Sequence, residues 1–200
     1  MKCHMLVTFG ILFLIATSAF ATDTSAVLDQ KLCSVCHGPG GSTNSELFPQ
    51  LAAQPAPYFI SQMKAFRDGS RQDENAKRFM WGIASRLSDD EIQQLAAYFE
   101  AQTAAHKGEI TDHLKYETGK SIFTQGNPKK NVPACMSCHG AKGEGKYATP
   151  RLGGQHEAYL KRQLKVFYGN DRPAAVAMHE VVKGLSESDI AAIAHYLQAQ

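Results

Sequence analysis

Two short segments of the sequence combine the residue types that attach and ligate a haem. Each holds two cysteines three positions apart, followed at once by a histidine; the first comprises Cys33, Cys36 and His37, and the second Cys135, Cys138 and His139. The thiols of such a C-x-x-C-H motif can add to the vinyl groups of one haem, and the histidine can then ligate its iron. Two copies predict two covalently attached haem c groups.

Zinc binding and dithiol redox chemistry are the other common uses of C-x-x-C. A zinc site places its second cysteine pair roughly 15–20 residues further on, whereas position 33 here lies 102 residues before position 135. A thioredoxin-like dithiol belongs in a βαβ setting, and no run of the sequence alternates with the period of a strand. Haem attachment therefore remains the favoured interpretation.

The first 21 residues have the pattern of a secretory signal peptide. Lys2 supplies a positive start, an apolar run extends from Met5 to Ala16, and the segment Ala19–Ala21 resembles a cleavage site. The apolar run is too short for a membrane span, which needs about 20 residues. We expect cleavage before Thr22 and export to the periplasm, since haem attachment by thiols belongs outside the reducing cytoplasm. All cysteines of the mature chain then lie in the two motifs.

The remaining chain is an internal duplication. Aligning the two haem motifs, with short gaps, also matches several downstream residues: Pro49 with Pro150, Gln54 with Gln155, Tyr58 with Tyr159, Gln62 with Gln163, Phe66 with Phe167 and Tyr98 with Tyr196. We predict a domain over 22–102, a polar linker over 103–118 and a second domain over 119–200. The second copy carries an extra loop, 126–134, before its first cysteine.

The periodicity of both halves predicts an all-α fold. Each half ends in an amphipathic helix that starts at a capping-box pattern, Ser88 with Glu91 and, more weakly, Ser186 with Asp189. We predict two further helices in each half: Ser25 to Leu32 and Pro57 to Arg67 in the first, Thr118 to Gln125 and Glu157 to Tyr168 in the second. The hydrophobic fraction of 44% is sufficient for packed cores.

The residue opposite each proximal histidine decides whether the iron carries electrons or reacts with peroxide or oxygen. Outside the signal peptide, Met80 and Met178 are the only methionines that match each other in the repeat, because Met63 aligns with Leu164 and Met136 is held between two cysteines. We therefore predict Met80 and Met178 as the distal ligands. Thioether ligation raises the reduction potential.

Histidine is the competing distal ligand, but no second pair of histidines matches in the repeat. The partners in the alignment are Pro55 for His156, Trp81 for His179 and Ala97 for His195, whereas His106 and His113 fall in the linker. For the proximal pair, we expect the carbonyls of Pro49 and Pro150 to accept a hydrogen bond from the ring. Arg86, Arg151 and tyrosine hydroxyls are the candidates for contacts to haem propionates.

The sequence resembles the dihaem cytochrome c4 family. Beside the two haem motifs, the resemblance rests on two P-x-L-(Ala/Gly)-x-Gln loops and on a methionine segment before Leu-Ser-x-x-(Asp/Glu)-Ile in each half. It covers nearly the whole mature chain and is strongest at 80–84 and 95–98, whereas the second half departs from the pattern at 181–184. It implies two class I cytochrome c domains related by pseudo-twofold symmetry, with haem propionates facing the domain interface.

The resemblance also implies a periplasmic shuttle between a quinol-oxidising complex and a terminal oxidase, sometimes held at the membrane. Two other interpretations stay open: the dihaem subunit of a dehydrogenase such as flavocytochrome c sulfide dehydrogenase, and a dihaem peroxidase. The matched pair Met80 and Met178 argues against the peroxidase, which requires an open distal site. We expect redox proteins as partners, and neither nucleic acid nor a small-molecule substrate.

Overall fold

The computed structural model describes residues 24–104 and 108–200, and these residues form helices without any strand. Two isolated β-bridges, Asn127 with Val132 and Lys146 with Thr149, are the only β-type pairings within them. Every helix in these two ranges is too short or too polar to cross a bilayer. The predicted signal peptide and His106 lie outside the described residues.

The described part of the N-terminal half, 24–104, contains five α-helices: α1 (Thr24–Leu28), α2 (Ser34–His37), α3 (Ala56–Arg67), α4 (Trp81–Ala84) and α5 (Asp89–Glu100). A π-helical turn (Asp29–Cys33) joins α1 to α2, a second (Ala76–Met80) leads into α4, and a 3₁₀ turn (Pro39–Gly41) follows α2. The first helix thus continues past its predicted end and carries the whole haem motif.

Residues 108–200 of the C-terminal half also contain five α-helices: α6 (His113–Gln125), α7 (Met136–His139), α8 (Glu157–Val166), α9 (Val176–Lys183) and α10 (Glu187–Gln198). The extra loop before the second motif includes a 3₁₀ turn (Pro128–Lys130) and buries Val132. Helix α8 ends two residues before the predicted Tyr168.

Helix α6 begins inside the segment predicted as a linker. The carboxylate of Asp112 accepts a hydrogen bond from the backbone N–H of Lys115, which caps the first turn. The ammonium group of Lys115 then binds Glu157 of α8 at 2.6 Å, and the ring of Tyr116 packs against Tyr196 of α10. These contacts attach the first turn of α6 to the C-terminal half.

Both predicted capping boxes are present. The backbone N–H of Ser88 donates to Glu91 at 2.8 Å, and that of Ser186 donates to Asp189 at 2.9 Å. In each box the backbone N–H of the acidic residue also donates to the serine hydroxyl, at 3.2 Å in both cases. The shorter aspartate therefore closes the box as well as glutamate does, although the sequence pattern suggested a weaker cap.

Each half has its own hydrophobic core, as the predicted two-domain fold requires. Helix α5 supplies the centre of the first core with Ile92, Leu95, Ala96 and Phe99, and helix α10 supplies the second with Ile190, Ile193, Ala194 and Leu197. These are the i, i+3, i+4, i+7 positions of each helix. Met63 also lies in the first core, in agreement with its assignment as a packing residue.

We expect Phe99→Ala to destabilise the N-terminal domain by about 3–5 kcal/mol, because a large aromatic side chain would be replaced by a cavity. Phe99 is 0% exposed, and its ring centroid lies 5.4 Å from that of Phe59. Denaturant unfolding of the holoprotein measures the loss. The control Gln93→Ala changes an exposed position of the same helix, so a similar loss there would contradict a packing origin.

Candidate haem sites

Each haem motif occupies one helical turn that ends at its histidine. Cys33 closes the π-helical turn, Cys36 lies in α2 and His37 is its last residue, so the two thiols lie on one side of a single turn. In the second motif, α7 directly follows Cys135 and ends at His139. All four thiols are free.

A glycine after each histidine turns the chain out of the helix. The φ angles of Gly38 and Gly140 are 73° and 85°, a region that disfavours side chains. A Cβ atom on Gly38 would also come within 2.0 Å of the Ser42 carbonyl oxygen. The tight turn after each motif therefore requires glycine.

The two proximal histidines are buried and held in the predicted way. The Nδ1–H of His37 donates to the Pro49 carbonyl at 2.9 Å, and that of His139 donates to the Pro150 carbonyl at 3.0 Å. A carbonyl can only accept, so Nδ1 carries the proton and Nε2 is the ring nitrogen left to bind a metal. The expectation for the two proline carbonyls is confirmed.

The electrostatics of the motifs suit a neutral imidazole and neutral thiols. Burial lowers the pKa of His37 and of His139, which favours the unprotonated ring that ligates iron. Burial also raises the pKa of the Cys33 thiol to about 12 and that of the Cys135 thiol to about 11. Among the described residues, no three His, Cys, Asp or Glu side chains converge as they would for a zinc ion. The donor set fits a haem.

Both predicted distal methionines lie in the domain of the histidine to which we assign them. Met80 is the last residue of the second π-helical turn, half-buried and packed on the N-terminal core. Met178 lies in α9 and is also half-buried. Their ligation to iron remains a prediction.

The remaining histidines of the C-terminal domain have other roles. The ring nitrogens of His179 lie within hydrogen-bond distance of two backbone carbonyls, Nδ1 at 2.6 Å from Phe167 and Nε2 at 3.0 Å from Arg172. His195 is 1% exposed, with Nδ1 at 2.7 Å from the Glu157 carboxylate, and His156 contacts the Thr43 carbonyl through Nε2 at 2.9 Å. The ring nitrogens named here are engaged by protein groups, which agrees with their exclusion as distal ligands.

Two matched glutamines join the domains reciprocally. Gln54 accepts from the backbone N–H of Arg151 at 2.7 Å and donates to the carbonyl of the same residue at 3.3 Å. Gln155 makes the same pair of bonds to Gln50, at 2.9 and 3.2 Å. Since Gln50 and Arg151 occupy matching positions, the interface has the self-complementary form of a twofold axis. In each domain, the proline carbonyl accepts from the proximal histidine, and the residue directly after that proline binds the glutamine of the other domain.

Two buried arginines, Arg71 and Arg172, meet across the same interface, and the sequence analysis missed them. The side-chain oxygen of Gln62 accepts from both guanidinium groups at 2.9 Å. Gln163 likewise accepts from Arg71 at 3.0 Å and from Arg172 at 2.7 Å. The arginines are separated by the same 101 positions as the matched tyrosines Tyr58 and Tyr159, so the repeat did contain a signal for them.

The two arginines differ in their acidic partners. Arg71 donates to Asp73 at 2.7 Å, and both side chains of this pair are less than 10% exposed. Arg172 instead donates to the hydroxyl of Tyr58 at 3.1 Å and forms no ion pair within the described part of the chain. Although burial opposes it, the two guanidinium groups lower the pKa of Tyr58. The interface therefore holds two buried cations and one buried carboxylate.

The predicted propionate contacts Arg86 and Arg151 are less buried than Arg71 and Arg172. Arg86 is exposed. Arg151 lies at the domain interface, where it binds Gln54, and is half-buried, with burial lowering the pKa of its guanidinium group. Arg71 and Arg172 are 6% and 8% exposed.

Comparison with known proteins gives consistent matches over both halves. The family model for cytochrome c matches residues 21–102 and 116–200. The chain is 36% identical to cytochrome c-552 of Acidithiobacillus ferridurans, over 96% of this chain and 85% of that protein. It is 34% identical to cytochrome c4 of Azotobacter vinelandii, over 84% and 83% of the two chains.

A further relative and one solved structure bear on the function. A protein of Thiomonas intermedia strain K12, described as a thiosulfate dehydrogenase electron acceptor, is 32% identical over 96% of this chain and 88% of its own. The solved structure of Acidithiobacillus ferrooxidans cytochrome c4 matches with a TM-score of 0.78 and 37% identity, over 84% of this chain and 98% of that one.

Proposed function

The chain belongs to the cytochrome c family, and on this basis we propose that it is a periplasmic carrier that takes electrons from a quinol-oxidising complex and delivers them to a terminal oxidase. It is a dihaem protein with two covalently attached haem c groups, and its relatives are electron carriers rather than enzymes. The identity of donor and acceptor, the periplasmic location and the residues at the iron are parts of the proposal.

The observation that supports this function best is the repeated geometry around His37 and His139. In both halves a buried imidazole is oriented by a proline carbonyl, which leaves Nε2 as the nitrogen that would bind the iron. When bound, each haem supplies an iron that alternates between the ferric and ferrous states. The protein keeps the imidazole neutral and limits the access of water, which keeps reorganisation small.

We assign Met80 and Met178 to the distal positions. A thioether in each distal position would saturate the iron and exclude peroxide and oxygen, so that only outer-sphere electron transfer remains. The half-buried setting of both residues is compatible with this role. Cys33 and Cys36 would hold the first haem, and Cys135 and Cys138 the second.

Arg71 and Arg172 suit the propionate groups that the resemblance places at the domain interface. Buried cations need anionic or strongly accepting partners. Asp73 already binds Arg71, whereas Arg172 has only neutral acceptors among the described contacts. We therefore assign Arg172 as the main propionate contact. The charge of Arg71, its counterpart in the repeat, is already offset by Asp73.

The function is tested by stopped-flow mixing of the reduced holoprotein with a purified terminal oxidase. We expect both haems to be reoxidised, with a rate that falls as salt is raised, because the mature halves carry opposite net charge: 7 basic against 10 acidic residues over 22–102 and 13 against 9 over 103–200. A rate independent of salt would remove any role for this charge asymmetry. Turnover of peroxide by the purified protein would contradict the assignment as a carrier.

A second candidate function is supported by the Thiomonas relative, namely acceptance of electrons from a thiosulfate-oxidising dehydrogenase. Thiosulfate and a purified thiosulfate dehydrogenase should then reduce the oxidised holoprotein, and thiosulfate alone should not. Permanent assembly with a flavoprotein, as in flavocytochrome c sulfide dehydrogenase, would instead appear as a stoichiometric partner on purification. Reduction by the thiosulfate dehydrogenase would change the proposed electron donor, but the protein would still be an electron carrier.

A further inference from the structure

Asp29 is a buried carboxylate on the helix that carries the first haem motif. It begins the π-helical turn that ends at Cys33, and it is 2% exposed. Its Oδ2 accepts from the backbone N–H of Gly40 at 3.0 Å and from the hydroxyl of Tyr98 at 3.1 Å. Its Oδ1 is buried and has no hydrogen-bond partner among the described residues. Both donors to Oδ2 are neutral groups.

Asp29 has no counter-ion among the described residues. None of their ion pairs includes its carboxylate, and the neighbouring Lys31 is exposed. A buried charge without a counter-ion acts on its surroundings with little screening. Any group that changes charge close to the first haem motif should therefore respond to Asp29.

The Asp29 carboxylate lies next to the first motif at two points of the chain. Asp29 and Cys33 are the first and last residues of one π-helical turn. The Oδ2 atom of Asp29 also binds the backbone N–H of Gly40, three residues after His37. The carboxylate is therefore held close to both the attachment point and the proximal ligand.

The matching tyrosines of the two domains have different partners. Tyr98 binds the Asp29 carboxylate through its hydroxyl, whereas the ring of Tyr196 packs on Phe123 at 5.3 Å between centroids. When the predicted helices 25–32 and 118–125 are aligned, Asp29 matches Ile122, which is buried in the second core. The helix that precedes the second motif thus has an apolar residue at the position of Asp29.

We infer that the Asp29 carboxylate lowers the midpoint potential of the N-terminal haem. Oxidation adds one positive charge at the iron, and a nearby carboxylate stabilises that charge. The inference rests on the proposed function, in which each haem exchanges one electron reversibly. Asp29 acts as a tuning residue and touches neither the donor nor the acceptor protein.

The test is a potentiometric titration of the Asp29→Asn holoprotein, with the two haems assigned by nuclear magnetic resonance. Asparagine keeps the size of the side chain and an oxygen for Gly40 and Tyr98, but it removes the charge. We expect the potential of the N-terminal haem alone to rise, so that its oxidised-to-reduced ratio at a fixed potential falls on the order of tenfold. Unchanged potentials for both haems would overturn the inference and leave the carrier function intact.

Two further variants exclude simpler explanations. Asp29→Glu retains the charge, and its N-terminal potential should stay close to that of the unmodified protein; a rise as large as that of Asp29→Asn would attribute the effect to packing and overturn the inference. Asp90→Asn removes an exposed carboxylate from α5 of the same domain and should leave both potentials in place. Failure of the unmodified protein to show two reversible one-electron steps would instead contradict the proposed function.

Discussion

Replacement of Met80 or Met178 by alanine should lower one of the two midpoint potentials by roughly 0.1–0.3 V, a shift within the range over which axial ligands set the reduction potential of a haem. The thioether sulfur stabilises ferrous iron, and its loss leaves water or a weaker ligand in the distal position. Both haems should stay attached, because Cys33, Cys36, Cys135 and Cys138 are unchanged. Redox titration with optical spectra of each variant measures the shift and counts the haems.

A matched control is available in Met63. This methionine is 4% exposed in the N-terminal core, and its partner in the repeat, Leu164, packs against the C-terminal core. Met63→Leu should therefore preserve both potentials and cost less than about 1.5 kcal/mol of stability. If neither Met80→Ala nor Met178→Ala moved a potential, the assignment of the distal ligands would be wrong.

Features that depend on local spacing were predictable from the sequence. The haem motifs, the two capping boxes and the apolar face of α5 are all determined by residues within a few positions of one another. The internal repeat allowed predictions beyond local spacing, because it identified Pro49 and Pro150 as matching residues of matching loops. The hydrogen bonds from His37 and His139 to these carbonyls follow from that match.

Features that depend on the contact between domains were not predictable in the same way. The repeat shows that Gln54 and Gln155 correspond, but each bonds to a residue about a hundred positions away in the other domain. No local pattern encodes such a pairing. Asp29 was missed for a related reason, because a carboxylate on a helix is usually solvated, and its burial depends on Gly40 and Tyr98 from other elements.

One missed boundary did have a local signal. Helix α6 starts at His113, after the capping side chain of Asp112. Aspartate is a favoured N-cap residue, but the polar, mixed charge of 103–118 favoured a linker. The contacts of Lys115 and Tyr116 with α8 and α10 stabilise this turn, and they are tertiary contacts that the composition of the segment does not reveal.

Asp73→Asn should destabilise the holoprotein by roughly 3–5 kcal/mol, because it removes the carboxylate that forms the buried ion pair with Arg71. Asparagine can still accept the hydrogen bond from the backbone N–H of Ala76, now 3.3 Å from the carboxylate. It cannot offset the charge of Arg71, whose guanidinium group is held between Gln62 and Gln163. Denaturant unfolding, followed by circular dichroism, measures the change.

The matched control Asp89→Asn breaks the ion pair with Arg67 in the same domain, but this pair is solvent-exposed and should contribute much less. The comparison also bears on the partner of Arg172. If Asp73→Asn were no more destabilising than the control, Arg71 would have to be neutralised by another anion. The propionates would then bind both arginines, which would contradict the division of roles proposed for Arg71 and Arg172.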